Sequence, residues 1–249
     1  MMKSEHFYLV FQPIVKISNK NTLIFEEFEV LLRSIKTQKF PANMFYELLA
    51  NEQKYNQYID WFTVELEKKM QACPDIKFSI NIDVDQFQFK STFHFLKYFS
   101  RYHEKLIIEI TEHTPKNNPK LLIELDDILK KIKNHHFNIA IDDYNEGINT
   151  LFLYKKHRKY YDRIKITLFG YKSILIIIGL VIYVNIVKFL FSKKIEIVVE
   201  KIDTLRKSKI MKKLSVSQQQ GYYFRTDSTL IRSFTDYEYY NNLGDQIVK

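Results

Sequence analysis

The chain has 249 residues, a net charge of +9, 46% hydrophobic residues, five glycines, five prolines and one cysteine. That content suits one large α/β domain and argues against a loop-rich or low-complexity polymer. The single cysteine, Cys73, excludes an internal disulfide and fits a reducing compartment, while the spread of lysines over KKHRK, SKK, LRKSK and MKK permits anionic ligands without naming one.

Residues 7–15 and 22–33 read as two strands joined by the turn SNKN. Pro41 opens a helical stretch to about residue 50. Over residues 56–72, Ile59, Phe62, Leu66 and Met70 recur at helical spacing. A strand is predicted over 76–82, a helix over 92–102 and a strand over 105–110. After the breaker run TPKNNP comes a helix over 119–135, with Leu122, Leu125, Ile128, Leu129 and Ile132 on one side. Residues 137–142 read as a strand, 148–157 as a short helix and 163–167 as a strand. A long apolar helix follows over 171–191, then a strand over 195–200. Residues 203–212 read as a helix capped by Asp203. Residues 214–224 hold the last strand, and the tail from Ser228 reads as helix or irregular.

The start, MMKSEHFYLVFQPIV, lacks the uninterrupted apolar core of a signal peptide. Residues 173–191 form the one membrane candidate. Asn185 and Lys188 interrupt it, and it sits between two strand-like runs. We read it as a buried or peripheral helix in a cytoplasmic protein, not as a stable membrane span. Its apolar excess leaves room for a partner contact.

Strand-helix alternation with about eight strand-like runs points to parallel strands closed into a barrel. Seven polar residues close these runs: Glu29, Asn81, Glu109, Asp142, Lys165, Glu200 and Gln220. Asn81 shares parity with Ser79, and Asp142 with Ala140. Glu109 and Lys165 lie between isoleucines. The bulky neighbours therefore face the helices and the polar set faces the interior, at the carboxyl ends of the strands. Glu29, Asn81, Glu109 and Asp142 make an oxygen-rich shell suited to Mg²⁺ or Mn²⁺. Asp142 and Asp143 both reach the rim only if the strand ends there, and together they suit a pair of cations of the kind that hydrolyses phosphoesters. Lys165 could orient or deprotonate the attacking water, or neutralise charge on phosphate; as a base it would have a pKa that an apolar interior lowers. No histidine spacing resembles a zinc site, and no glycine-rich phosphate loop or serine elbow is present.

In order, FQPIV, FEVLLR, SINIDVDQF, EITEH, AIDDYNEG, RIKIT, VVEKIDT and QGYYF resemble the motifs of the EAL-domain family of cyclic-di-GMP phosphodiesterases. Glu29-Val30-Leu31 stands where the name-giving Glu-Ala-Leu falls. The resemblance covers residues 7–224. It implies a single domain over 1–249, with a core of about 7–224 and a C-terminal tail of 225–249. The implied fold is a TIM-type (β/α)8 barrel with an irregular first strand pair. The implied chemistry is hydrolysis of cyclic-di-GMP to linear pGpG with two Mg²⁺ or Mn²⁺ ions. By the same resemblance, Glu29, Asn81, Glu109 and Asp142 bind the first metal, and Asp142 and Asp143 the second. Lys165 and Glu200 handle the water, Gln220 completes the site, and Glu112 holds the loop after the paired aspartates. Gln12 and Arg33 contact substrate, and Tyr223 stacks on a guanine.

The chain also departs from the family pattern. The loop DFGTG is DYNEG here, KID is KIT at Thr167, and EGVET is EKIDT. Asp83 stands where VN-x-S carries serine. The altered loop, which the resemblance links to the second metal and to dimerisation, keeps a second reading open. In it the domain binds the dinucleotide as a sensor, or binds a protein, without cleaving anything. The apolar helix and the tail leave a second copy of the chain as a candidate partner; nothing in the spacing supports a nucleic-acid polymer.

Overall fold

A computed structural model describes residues 6–19, 22–167, 182, 186, 189, 195–216 and 218–224. Eight strands close into one barrel in chain order. They are β1 (Phe7–Ile17), β2 (Leu23–Ser34), β3 (Lys77–Ile82), β4 (Leu106–Ile110), β5 (Asn138–Ile141), β6 (Arg163–Thr167), β7 (Glu196–Glu200) and β8 (Gln218–Gln220). β1 runs antiparallel to both neighbours, β2 and β8. The other pairs, from β2–β3 to β7–β8, are parallel. The cause is local. β1 ends at Ile17 and β2 begins at Leu23, with Ser18 N–H donating to Thr22 O at 2.9 Å between them, and a connection that short reverses the chain. Each later pair has a crossover long enough for a parallel return.

Helices with bounds among the described residues are α1 (Ala42–Leu49), α2 (Glu52–Ala72), α3 (Lys90–Phe99), α4 (Leu125–Asn134), α5 (Leu151–His157) and α6 (Leu205–Lys213). α2 begins a turn earlier than its apolar spacing predicts, because Asn51 Oδ1 caps it by accepting from Lys54 N–H at 2.9 Å. The helix expected over 119–135 splits into a 3-10 turn, Pro119–Leu122, and α4. Leu121 N–H bonds to Asn118 O, and Ile123 N–H to Lys120 O, three residues back in each case. Asp203 is not the cap of α6. Thr204 Oγ1 accepts from Lys207 N–H, and Asp203 instead pairs with the Lys207 ammonium at 2.7 Å. The apolar helix expected over 171–191 lies outside the described residues except for Ile182, Ile186 and Phe189, which are helical and exposed. The expected tail also lies outside them. Among the described residues, no helix is long and apolar enough to cross a membrane.

The parity expected from sequence holds around the barrel. Ile80, Ile108, Ile110, Ile139, Ile141, Ile164, Ile166 and Val199 join the buried cluster with Tyr58, Phe62, Phe95, Ile128 and Leu129 of the helices. Ser79, Glu109, Lys165 and Gln220 take the opposite parity and are buried as well. Below the mouth, the guanidinium of Arg163 forks onto Glu27 and reaches Glu196 at 2.7 Å. A buried guanidinium needs such pairing, because leaving it unpaired costs far more than the bridge gains.

One histidine in the outer layer gives a pH signature. His157 is buried, its Nδ1 lies 3.2 Å from Asp126, and its Nε2 has no hydrogen-bond partner. Burial pushes its pKa down. A depressed histidine contributes stability above its unfolded pKa of about 6.5, and loses it as pH falls through the folded value. Thermal melts of wild type and His157→Gln should therefore diverge at pH 7–8 and converge toward pH 5. Parallel curves across that range would reject the assignment.

Candidate functional site

Lys165 occupies the centre of the barrel mouth. Its ammonium lies 2.7 Å from Glu109 Oε2, 2.9 Å from Asp142 Oδ1, 3.0 Å from Glu200 Oε1 and 3.2 Å from Glu29 Oε2. Four carboxylates, three on β2, β4 and β7 and one just past β5, thus meet one ammonium. Strand register brings them there: Asn81 pairs with Glu109 across β3–β4, and Thr167 with Glu200 across β6–β7. Asn81 Nδ2 and Gln220 Nε2 each donate to Glu29, at 2.5 Å. Thr167 Oγ1 bridges Asp143 and Glu200.

The electrostatics follow from burial against charge. Burial opposes ionisation of Glu29, but Lys165 and the two amides outweigh it and hold its carboxyl below the usual range. Burial wins at Glu109 and Glu200, whose pKa values rise to about 8, and at Asp142, which rises to about 6. Lys165 corrects one expectation. Burial acts against its charge, but the surrounding Asp142, Glu109, Glu200 and Glu29 lift its pKa well above the ordinary value. In this arrangement the ammonium therefore holds its proton.

The paired aspartates sit where β5 has ended, as the sequence requires. Asp143 has φ 40° and Asn145 φ 79°, so asparagine supplies the left-handed turn that glycine would otherwise make. The loop docks on the residue after β4–Thr111: Glu112 O accepts Ile148 N–H at 2.9 Å. Glu112 meets the loop through its backbone, while its side chain joins Asp142 and Asp143 in a triplet whose oxygens lie within 4.8 Å of one another. Gly147 is held at φ 47°, and a Cβ there would stand 1.9 Å from Glu112 O. Gly147→Ala should therefore cost about 1–3 kcal/mol and disturb Glu112 and Asp143 together. A denaturant midpoint equal to wild type would exclude this tight docking.

Of the remaining predicted residues, Gln12 lies opposite Glu29 in the β1–β2 register. Arg33 lies near the end of β2, donates to Leu32 O at 2.9 Å and lines a cavity of about 220 Å³. Asn81, Glu112, Asp142 and Asp143 line the same cavity, with Phe45, Tyr58 and Phe62 on its apolar side. Tyr223 lies in a 3-10 turn after β8. It donates its N–H to Ile202 O at 2.9 Å and packs edge-on against Phe224.

Sequence pattern missed two groups. Thr167 reads only as a lost carboxylate, yet it ties Asp143 to Glu200. His113 follows Glu112 and lines the cavity, and Asp83, 3.4 Å from its Nδ1, lifts its pKa. The one available signal was aspartate at position 83 in place of serine.

The donor set suits a hard divalent cation. Asn81 and Gln220 turn their amide NH2 groups to Glu29 and leave Asn81 Oδ1 and Gln220 Oε1 buried without a hydrogen-bond partner. Glu109 Oε1 is in the same state, and Asp142 Oδ1 faces the ammonium without hydrogen-bond alignment. Buried orphan oxygens are rare and need an explanation. Oxygen donors of carboxylate and amide type are what Mg²⁺ and Mn²⁺ take.

A family model described as EAL domain matches residues 1–227. No curated protein sequence matches the chain. Several solved structures are similar. An EAL-domain protein from Listeria monocytogenes is 21% identical, with 89% of this chain and 88% of that one covered and a TM-score of 0.62. The YkuI protein of Bacillus subtilis, with an EAL domain and in complex with cyclic-di-GMP and calcium, is 16% identical, with 98% and 63% covered and a TM-score of 0.69. BlrP1 of Klebsiella pneumoniae, in a manganese and cyclic-di-GMP complex, is 19% identical, with 90% and 56% covered and a TM-score of 0.66. The chain thus spans under two thirds of the last two. At these identities the likeness shows the barrel fold.

Proposed function

Because this chain belongs to the EAL-domain family, we propose that it hydrolyses cyclic-di-GMP to linear pGpG with divalent-metal assistance. One observation carries the reading. Glu29, Asn81, Glu109, Asp142, Glu200 and Gln220 come from separate elements to one mouth, and several of their oxygens are buried and unmatched. Glu29, Asn81, Glu109 and Asp142 would hold one cation, and Asp142 and Asp143, beside Glu112, a second. Held there, a pair of cations would supply activation of water and charge stabilisation at the leaving oxygen.

The chain's own groups do the rest. Water oxygen bonds to phosphorus, the bond from phosphorus to the 3′-oxygen breaks, and the water's proton ends on that 3′-oxygen. In this reading Glu200, which contacts Lys165 and Thr167, takes the proton. Lys165 keeps its charge and offsets that of the phosphodiester. Arg33 lines the cavity as the phosphate contact. Gln12 and Tyr223 are the further substrate contacts in this reading, Tyr223 by stacking on a guanine.

The direct test is incubation of purified protein with cyclic-di-GMP and Mg²⁺ or Mn²⁺, followed by chromatography. Appearance of pGpG is expected. Absence of product with either ion, while the dinucleotide still binds, would leave the second reading, a sensor. The specific observation favouring a sensor is Thr167, a neutral hydroxyl bridging two carboxylates where the family carries aspartate. Calorimetry with and without metal separates the two, because a sensor would bind the dinucleotide and leave it intact.

A further inference from the structure

His113 stands at the edge of the acidic triplet with one ring nitrogen already committed. Its Nδ1 lies 3.4 Å from Asp83 Oδ1. Asp83 is itself fixed: Thr111 Oγ1 donates to Oδ1 at 2.5 Å, and Gln86 Oε1 accepts the Asp83 N–H at 2.8 Å. The ring also rests edge-on against Tyr46, with centroids 6.4 Å apart. A carboxylate beside Nδ1 favours the tautomer that carries its proton there, which leaves the lone pair on Nε2. That Nε2 lies 3.6 Å from Glu112 Oε1. Two ligands of one ion, each about 2.1 Å away and at right-angled or tetrahedral spacing, lie roughly 3.0–3.4 Å apart. The separation is therefore close to that of neighbouring ligands. Carboxylate, imidazole and cation in that order is the usual outer arrangement of a histidine-ligated metal. His113 stands outside the triplet of mutually close oxygens. Its side chain is 46% exposed, so the ring has room to turn toward the triplet.

We propose that His113 Nε2 supplies a nitrogen ligand to a divalent cation held by Glu112, Asp142 and Asp143, with Asp83 positioning the ring. This rests on the metal-dependent reading above. The consequence is selectivity. Imidazole suits first-row transition ions, whereas Mg²⁺ and Ca²⁺ prefer all-oxygen shells. Asp83 and His113 together bias this edge of the mouth toward Mn²⁺.

The test uses the full chain loaded with Mn²⁺ and no nucleotide. Pulsed electron paramagnetic resonance should show nitrogen-14 coupling from a directly bound imidazole, and His113→Gln should lose it. Calorimetry should show Mn²⁺ affinity falling about 10- to 100-fold in His113→Gln, with Mg²⁺ affinity changing much less. Asp83→Asn should weaken Mn²⁺ by about ten-fold while keeping the nitrogen signal. Circular dichroism checks that each variant folds. Mn²⁺ binding without nitrogen coupling in wild type, or coupling that persists in His113→Gln, would overturn the ligand assignment and leave the metal reading standing. No Mn²⁺ binding at all would overturn both.

Discussion

Replacing Lys165 by methionine should destabilise the metal-free protein by about 3–5 kcal/mol, the usual cost of removing one partner from a buried ionic cluster. For a chain of this size that is roughly 6–20 °C in Tm. The cost arises because Glu29, Glu109, Asp142 and Glu200 lose a cation that lies within 3.2 Å of all four. A divalent ion should restore much of the loss, since it would take over the same role.

The loss should also depend on pH, with a definite sign. Glu109 and Glu200 have folded pKa values raised to about 8, and Asp142 to about 6, each mainly by burial. Carboxyls raised above their unfolded values stabilise fully below the ordinary range near pH 4, and lose that contribution as pH rises through the folded pKa. The metal-free protein should therefore weaken between about pH 4 and pH 8, and the methionine variant should weaken more steeply. Calorimetric scans in chelator at pH 5 and pH 8, repeated with Mn²⁺, would measure both effects. Equal melting temperatures for variant and wild type at pH 8 would contradict the central placement of Lys165.

Glu29→Ala and Asp142→Ala should each lower turnover of cyclic-di-GMP by at least about a hundred-fold, the scale of losing one preorganised electrostatic group. Glu29 organises the mouth, since Asn81, Gln220 and Lys165 all bond to it. Asp142 belongs both to the lysine cluster and to the triplet with Glu112 and Asp143. Asp142→Asn keeps the volume and removes the charge, so it separates a loss of cation binding from a loss of shape. Single-turnover rates with saturating Mn²⁺, alongside circular dichroism, provide the readout. A variant that folds and keeps the wild-type rate would place the chemistry elsewhere.

The two-residue period of a strand is a local property, and it can be read along the chain. Ile108-Glu109-Ile110 and Ile164-Lys165-Ile166 fix which side chain turns inward, and the chain end at Asp142 and Asp143 fixes a turn. Sequence by itself therefore determined the barrel, the inward polar set and the oxygen-rich rim. Only the tertiary structure decided which inward groups meet. Lys165 lies between apolar residues in sequence, which suggests a depressed pKa. Closure of the barrel surrounds it with four carboxylates, and its pKa rises instead. Arg163 with Glu27, and His113 with Asp83, are likewise pairs made by strand stagger across distant segments. Period tells a residue which way to face. The partner it finds depends on the register of every strand around the ring, and no single segment encodes that.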